Sequence, residues 1–257
     1  MMVGLDVTLE SLDTGYSRGA EQTVVSRGLS ATLPAGRLTC LLGRNGAGKS
    51  TLMRTLAGFQ KPLAGRILAG GADISGLSAL EMARTAGVVL TDRIQARELT
   101  VGELVSMGRA PYTDTWGRLS RADREAVARA MEMTGTRDME GRRVSSLSDG
   151  ERQRAMIAKA LAQDTPVILL DEPTAFLDYP GKVEIMRLLR SLASEAGRTV
   201  MLSTHDVELA MQTCHHVWLL SRAAGLAEGA PGEIDLNPAF GSDTLRYDRA
   251  TMTFSIV

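Results

Sequence analysis

Gly43-Arg44-Asn45-Gly46-Ala47-Gly48-Lys49-Ser50 has the spacing G-x-x-x-x-G-K-S of a phosphate-binding loop. The run 38–42 before it, Leu-Thr-Cys-Leu-Leu, reads as a strand, and 51–57 after it reads as a helix stopped at Gly58. A strand, a Gly-rich loop and a helix in that order are what the motif requires. Where side chains do not block the approach, the backbone N–H groups of Arg44, Asn45, Gly46, Ala47 and Gly48 can wrap a polyphosphate. The helix that opens with Ser50 and Thr51 adds a favourable dipole. Lys49 is then expected on the β- and γ-phosphates, and the Ser50 hydroxyl on Mg²⁺.

Further along, the apolar run 167–170, Val-Ile-Leu-Leu, reads as a buried parallel strand that delivers Asp171 and Glu172 to its carboxyl end. Ligands of open α/β sheets bind at that edge. Asp171 is expected in the Mg²⁺ shell, and Glu172, one residue on, can reach an attacking water as general base. By itself such a pair is also what a solvated acidic turn looks like, but the phosphate loop upstream favours the nucleotide reading. Together the two segments imply ATP and Mg²⁺ as ligands.

Between them lies Leu147-Ser148-Asp149-Gly150-Glu151-Arg152-Gln153-Arg154. With these residues the chain resembles the ATP-binding subunits of ABC transporters, over almost its whole length; Asp149 stands where Gly is commoner in the signature. The resemblance implies that Ser148 and Gly150 face the ATP held by a second subunit, and so implies a homodimer. On local grounds the same residues are a helix N-cap, with Ser148 and Glu151 forming a capping box. Both readings can hold. The resemblance further implies that Asp178, in Ala175-Phe176-Leu177-Asp178, reaches across the dimer. It makes His205, at the end of the strand-like run 199–206, the switch histidine on the γ-phosphate, and Tyr16 the aromatic residue that stacks on adenine. His215 and His216 lack such a context and read as structural. One position departs from the pattern: Thr91 stands where the family usually has Gln, a shorter side chain that can still offer a hydroxyl to the metal.

The remaining sequence bounds this reading. A chain of 257 residues, 44% hydrophobic, is long enough for one sizeable core with a smaller attached subdomain, and a net charge of −1 gives no basic field for nucleic acid. The two cysteines, Cys40 and Cys214, have no disulfide or zinc spacing and read as buried thiols. Residues 1–6 lack the regions of a secretory signal, and no apolar run approaches the roughly 20 residues that span a bilayer. The expected fold is α/β: a P-loop NTPase core with a mixed, mostly parallel sheet plus an α-helical subdomain. The ATPase domain covers 1–235, with the helical part at about 92–147 inserted in it, and 236–257 form a small C-terminal extension. Thr100 with Glu103, and Ser120 with Asp123, signal helix starts, and Glu125 with Arg129 are spaced as an i,i+4 pair.

The stretch 99–112, Leu-Thr-Val-Gly-Glu-Leu-Val-Ser-Met-Gly-Arg-Ala-Pro-Tyr, is similar to ATPase subunits of importers for iron-siderophores, haem and cobalamin. Gly108 and Pro111 also read as a plain helix stop. In such importers two ATPase subunits sit on two integral-membrane permease subunits at the cytoplasmic face of the bacterial inner membrane, and an external binding protein delivers the metal chelate. The alternative is a soluble ABC ATPase of cofactor assembly, nucleic acid or ribosomes.

Overall fold

The computed structural model describes residues 3–19, 21–90, 98–175 and 177–256. The chain begins with two antiparallel strands, β1 (Val7–Arg18) and β2 (Glu21–Leu33), then runs through β3 (Leu38–Leu42) and α1 (Lys49–Leu56). Next come β4 (Ala64–Ala69), β5 (Ala72–Asp73), α2 (Ala79–Thr85) and β6 (Ala86–Val89). Three helices follow, α3 (Val101–Ser106), α4 (Arg121–Met133) and α5 (Asp149–Ala162), before the chain returns as β7 (Val167–Asp171), α6 (Tyr179–Ser194), β8 (Thr199–Ser203) and α7 (Val207–Thr213). It closes with β9 (His216–Ser221), β10 (Gly225–Gly229), α8 (Asn237–Phe240), β11 (Leu245–Asp248) and β12 (Thr253–Ile256).

The main sheet has the order β10-β9-β3-β8-β7-β6, parallel throughout except for β10, and an antiparallel sheet β2-β1-β4-β5 lies over one of its faces. Strand alternation explains the layering. Leu38, Cys40, Leu42, Ile168, Leu170, Val200 and Leu202 point to one side, where α6, α7 and the inner face of α5 cover them. Leu41, Leu169, Met201 and Trp218 point to the other, against α1 and the antiparallel sheet. Because β3, β7 and β8 are buried on both faces, they are mostly apolar and do not alternate with polar residues.

A third apolar cluster joins α3 and α4 to α5. Ala155, Ala158 and Ala162 give α5 one face in that cluster, while Ile157 and Ala160 turn to the sheet. The helix that starts at the signature is thus shared by the two layers. All three capping boxes read from the sequence form, at Thr100/Glu103, Ser120/Asp123 and Ser148/Glu151. A fourth, Ser78/Glu81, starts α2, a helix that the sequence reading did not single out.

Two local expectations change. Glu125 pairs with Arg121, at 2.9 Å, one turn before it rather than with Arg129. The helix-stop reading of Gly108 fails: α3 ends at Ser106 and the chain continues as a 3-10 turn, Met107–Tyr112, with Pro111 inside it. Gly108 serves close packing instead, since a Cβ there would lie 2.2 Å from the Lys159 carbonyl oxygen of α5. In the C-terminal segment, Leu236, Ala239 and Tyr247 sit in the same apolar layer as α6 and β9.

Candidate functional site

The loop between β3 and α1 turns at Gly48, whose φ of +107° is open to glycine alone at little cost, and a Cβ there would meet Val25 Cγ1 of β2 at 2.8 Å. Lys49 follows as the first helical residue. It is buried, and its ammonium donates to the Gly43 carbonyl at 2.7 Å and, more weakly, to that of Arg44 at 3.4 Å. The chain thereby folds back around Asn45, Gly46 and Ala47. Arg222, just beyond β9, pins the loop from outside through Nε to the Gly46 carbonyl at 2.8 Å. Ser50 lies exposed at the helix start and Thr51 is buried beside it.

The parallel register places Asp171, the last residue of β7, beside Ser203, the last of β8. The Ser203 hydroxyl donates to Asp171 Oδ1 at 2.6 Å, and the Glu172 N–H donates to the same hydroxyl at 3.0 Å. Glu172 has a φ of +53°, the left-handed region that a residue with a long side chain rarely occupies. β8 stops two residues short of His205, and in the turn that follows the imidazole Nε2 meets the Glu172 carboxylate. The phosphate loop adjoins this group. Burial pushes the Lys49 ammonium below its ordinary value, while the negative charges of Glu172 and Asp171 pull it back up. Lys49, Asp171, Glu172 and His205 therefore converge at the carboxyl edge of the main sheet.

The other expected residues are placed around this centre. Tyr16, in β1, is half-exposed and its hydroxyl lies 2.9 Å from Thr51 Oγ1, so the ring stands at the mouth of the phosphate loop. Ser148 caps α5, accepting from the Glu151 N–H, and Ser148 and Asp149 are exposed at the helix start. The Arg142 guanidinium and the Ser148 N–H hold the Glu151 carboxyl down at about 2. Gly150 packs near Leu177, where a Cβ would come within 3.6 Å of its Cδ2. Asp178 caps α6 by accepting from the Gly181 N–H at 3.1 Å, and it too is exposed. Signature and α6 start are therefore neighbours on an open face. Thr91 lies outside the described residues.

Among the described residues no three His, Cys, Asp or Glu side chains cluster as a ready metal cage. A hydroxyl at Ser50 and a buried carboxylate at Asp171 are nonetheless hard oxygen donors of the kind Mg²⁺ takes when phosphates and water complete its shell. The donor set fits that ion.

Two contributors were not singled out from the sequence. Ser203 lay within the quoted run before His205, but its partners depend on the register between β7 and β8. Arg222 carries no local signal, because its contact spans 176 residues. The histidines read as structural have structural partners: His215 Nδ1 accepts from the Leu38 N–H and His216 pairs with Glu228.

A family model described as ABC transporter matches residues 26–175. The chain is 40% identical over 228 residues to the probable siderophore transport system ATP-binding protein YusV of Bacillus subtilis, covering 89% of this chain and 82% of the relative. Among solved structures, a protein described as a metal-chelate type ABC transporter in an inward-facing conformation superposes with a TM-score of 0.80 at 25% identity, covering 99% of this chain and 97% of that one. A dimeric ATP-binding cassette in a post-hydrolysis state, bound to ADP and Pi, superposes with a TM-score of 0.75 at 26% identity, over 88% of this chain and 98% of that one.

Proposed function

The chain belongs to the ABC transporter family, as one of its ATPases, and from that premise we propose that it is the motor subunit of a membrane importer for metal chelates of the iron-siderophore, haem or cobalamin type. The observation that carries the reading is the division of the site. The phosphate cradle, Asp171, Glu172 and His205 meet at one sheet edge, while Ser148 opens α5 exposed to solvent. On this reading one half of an ATP site lies at that edge, and its complement faces outward, available to a second copy.

In the proposed cycle the triphosphate displaces the Gly43 and Arg44 carbonyls from the Lys49 ammonium, and its negative charge offsets the burial penalty of that group. The N–H groups of residues 43–51 cradle the phosphates and Tyr16 stacks on the adenine. Ser50 and Asp171 would hold Mg²⁺, which would offset the charge that develops on the phosphates. Thr91, from its place in the sequence, is a further candidate ligand. Glu172 orients and deprotonates the attacking water, and His205 turns from Glu172 to the γ-phosphate. Ser148, Gly150 and the α5 N-terminus close the site from the partner copy, and Asp178 contacts that copy across the seam. Two ATP molecules hold the dimer shut, and hydrolysis releases it. Differential binding of ATP to closed and open states supplies the work.

Among the described residues no helix is long and apolar enough to cross a membrane, so transport needs integral-membrane permease subunits. In this reading the chain sits at the cytoplasmic face of the bacterial inner membrane, and an external binding protein brings the chelate to the permease. An open groove of about 320 Å³, lined by Phe59, Met82, Val88, Lys159 and Gln163 and with the Phe59 ring 63% exposed, offers the permease an apolar seat. Gentle solubilisation of native membranes tests the reading. A polytopic permease recovered in stoichiometric amount supports it; a soluble assembly complex or ribosomes, with no permease, overturns it and leaves the ATPase standing.

A further inference from the structure

Ser203 is buried at the end of β8, beside the reaction centre yet with no place in the cycle above. Its hydroxyl uses both of its capacities on adjacent residues: it donates to Asp171 Oδ1 at 2.6 Å and accepts the Glu172 N–H at 3.0 Å. We propose that Ser203 is a positioning residue that couples the two carboxylates, fixing the plane of Asp171 and holding Glu172 in its left-handed backbone conformation. The inference rests on the roles proposed for Asp171 and Glu172.

A carboxylate that accepts a short hydrogen bond on one oxygen loses freedom about its Cβ–Cγ bond, so the direction in which it presents its charge is set before a ligand arrives. A residue with a long side chain at φ +53° relaxes toward ordinary backbone unless something holds it there. The Glu172 N–H bond to Ser203 is such a tie, and it is anchored on β8, the strand that also leads to His205. One hydroxyl therefore sets the metal-facing carboxylate, the base and, through the strand, the spacing to the histidine. Alanine at 203 keeps the strand and most of the volume but leaves the Glu172 N–H and Asp171 Oδ1 without this partner.

The test uses Ser203→Ala and Ser203→Thr in the full chain. ATP affinity is measured in EDTA, Mn²⁺ affinity of the ATP complex by electron paramagnetic resonance, and hydrolysis in the membrane complex that contains the chain. Ser203→Ala should bind ATP in EDTA within about twofold of wild type, yet lose about 10–100-fold in Mn²⁺ affinity and in kcat, the range for residues that orient metal ligands. Ser203→Thr keeps the hydroxyl and should recover both to within about threefold. Tm is read first. If Ser203→Ala does not fold, Ser203→Cys takes its place and the same split between EDTA binding and Mn²⁺ affinity is expected. The proposal is overturned by a folded alanine variant with unchanged Mn²⁺ affinity and kcat, or by a threonine variant as impaired as alanine. A wild-type chain that binds no ATP would instead overturn the functional reading on which it rests.

Discussion

Replacing Arg109 by Ala should cost far more than any surface arginine, because its guanidinium is the knot of the helical layer. Arg109 is 7% exposed; Nε donates to Asp123 Oδ1 at 2.8 Å, Nη1 to the Ala162 carbonyl at 2.8 Å, and the guanidinium lies 4.0 Å from the centroid of the Tyr112 ring. It thereby ties the 3-10 turn to the start of α4 and the end of α5. Asp123 is buried as well, and its other oxygen accepts from the Ser120 N–H and hydroxyl. Burial pushes the Asp123 carboxyl up, but the Ser120 and Arg109 hydrogen bonds together hold it below its ordinary value. Truncating Arg109 leaves a buried carboxylate short of its counter-charge, for which about 3–5 kcal/mol is typical. The orphaned Ala162 carbonyl and the lost cation–π contact fall within that total at about 1 kcal/mol each. For a chain of this length each kcal/mol is worth about 2–4 °C, so Tm should fall by roughly 10 °C. Urea unfolding followed by circular dichroism measures the loss. A double-mutant cycle with Asp123→Asn should return a coupling of about 2 kcal/mol. A single-mutant cost below about 1 kcal/mol with coupling under about 0.5 kcal/mol would mean that Arg109 and Asp123 act as no more than a surface pair.

Other consequences are as direct. Tyr16→Ala should weaken ATP by about 5–150-fold through loss of one base stack of about 1–3 kcal/mol, whereas Tyr16→Phe keeps the ring and should stay near wild type; equal losses in titration calorimetry would mean that the hydroxyl bond to Thr51 matters instead. Gly108→Ala should cost about 1–3 kcal/mol by overpacking against the Lys159 carbonyl, and a Tm equal to wild type would show that α5 yields. Glu151 has a folded-state value depressed from 4.5 to about 2, so its stabilising effect is full above pH 4.5 and is lost as pH falls toward 2. The Tm gap between wild type and Glu151→Gln should accordingly narrow from pH 5 to pH 3, and a gap that widens on acidification reverses the sign of this argument.

What was legible in the sequence was what short-range chemistry encodes. β3 and β7 announce themselves as mostly apolar runs because both faces of those strands are covered, and the loop after β3 does so because cradling phosphate demands glycine and lysine at set positions. Helix starts at Thr100, Ser120 and Ser148 were visible because a capping box closes within three residues. Ser78 with Glu81 carried the same signal and was not singled out. Gly108 was misread because a helix-ending glycine and one that admits a neighbouring carbonyl look identical in sequence; only the docking of α5 separates them. Ser203 and Arg222 escaped for a related reason. Their partners are brought to them by strand register and by chain return, at separations of 31, 32 and 176 residues.

In the proposed cycle each ATP site is completed by a second copy of the chain. Light scattering of the Glu172→Gln variant with and without Mg²⁺–ATP tests this, because the variant should bind ATP and fail to consume it. The expected result is a monomer without nucleotide, a stable dimer with it, and loss of that dimer when Ser148→Arg is added at the exposed start of α5. A variant that binds ATP and remains monomeric, or a dimer indifferent to Ser148→Arg, would contradict it.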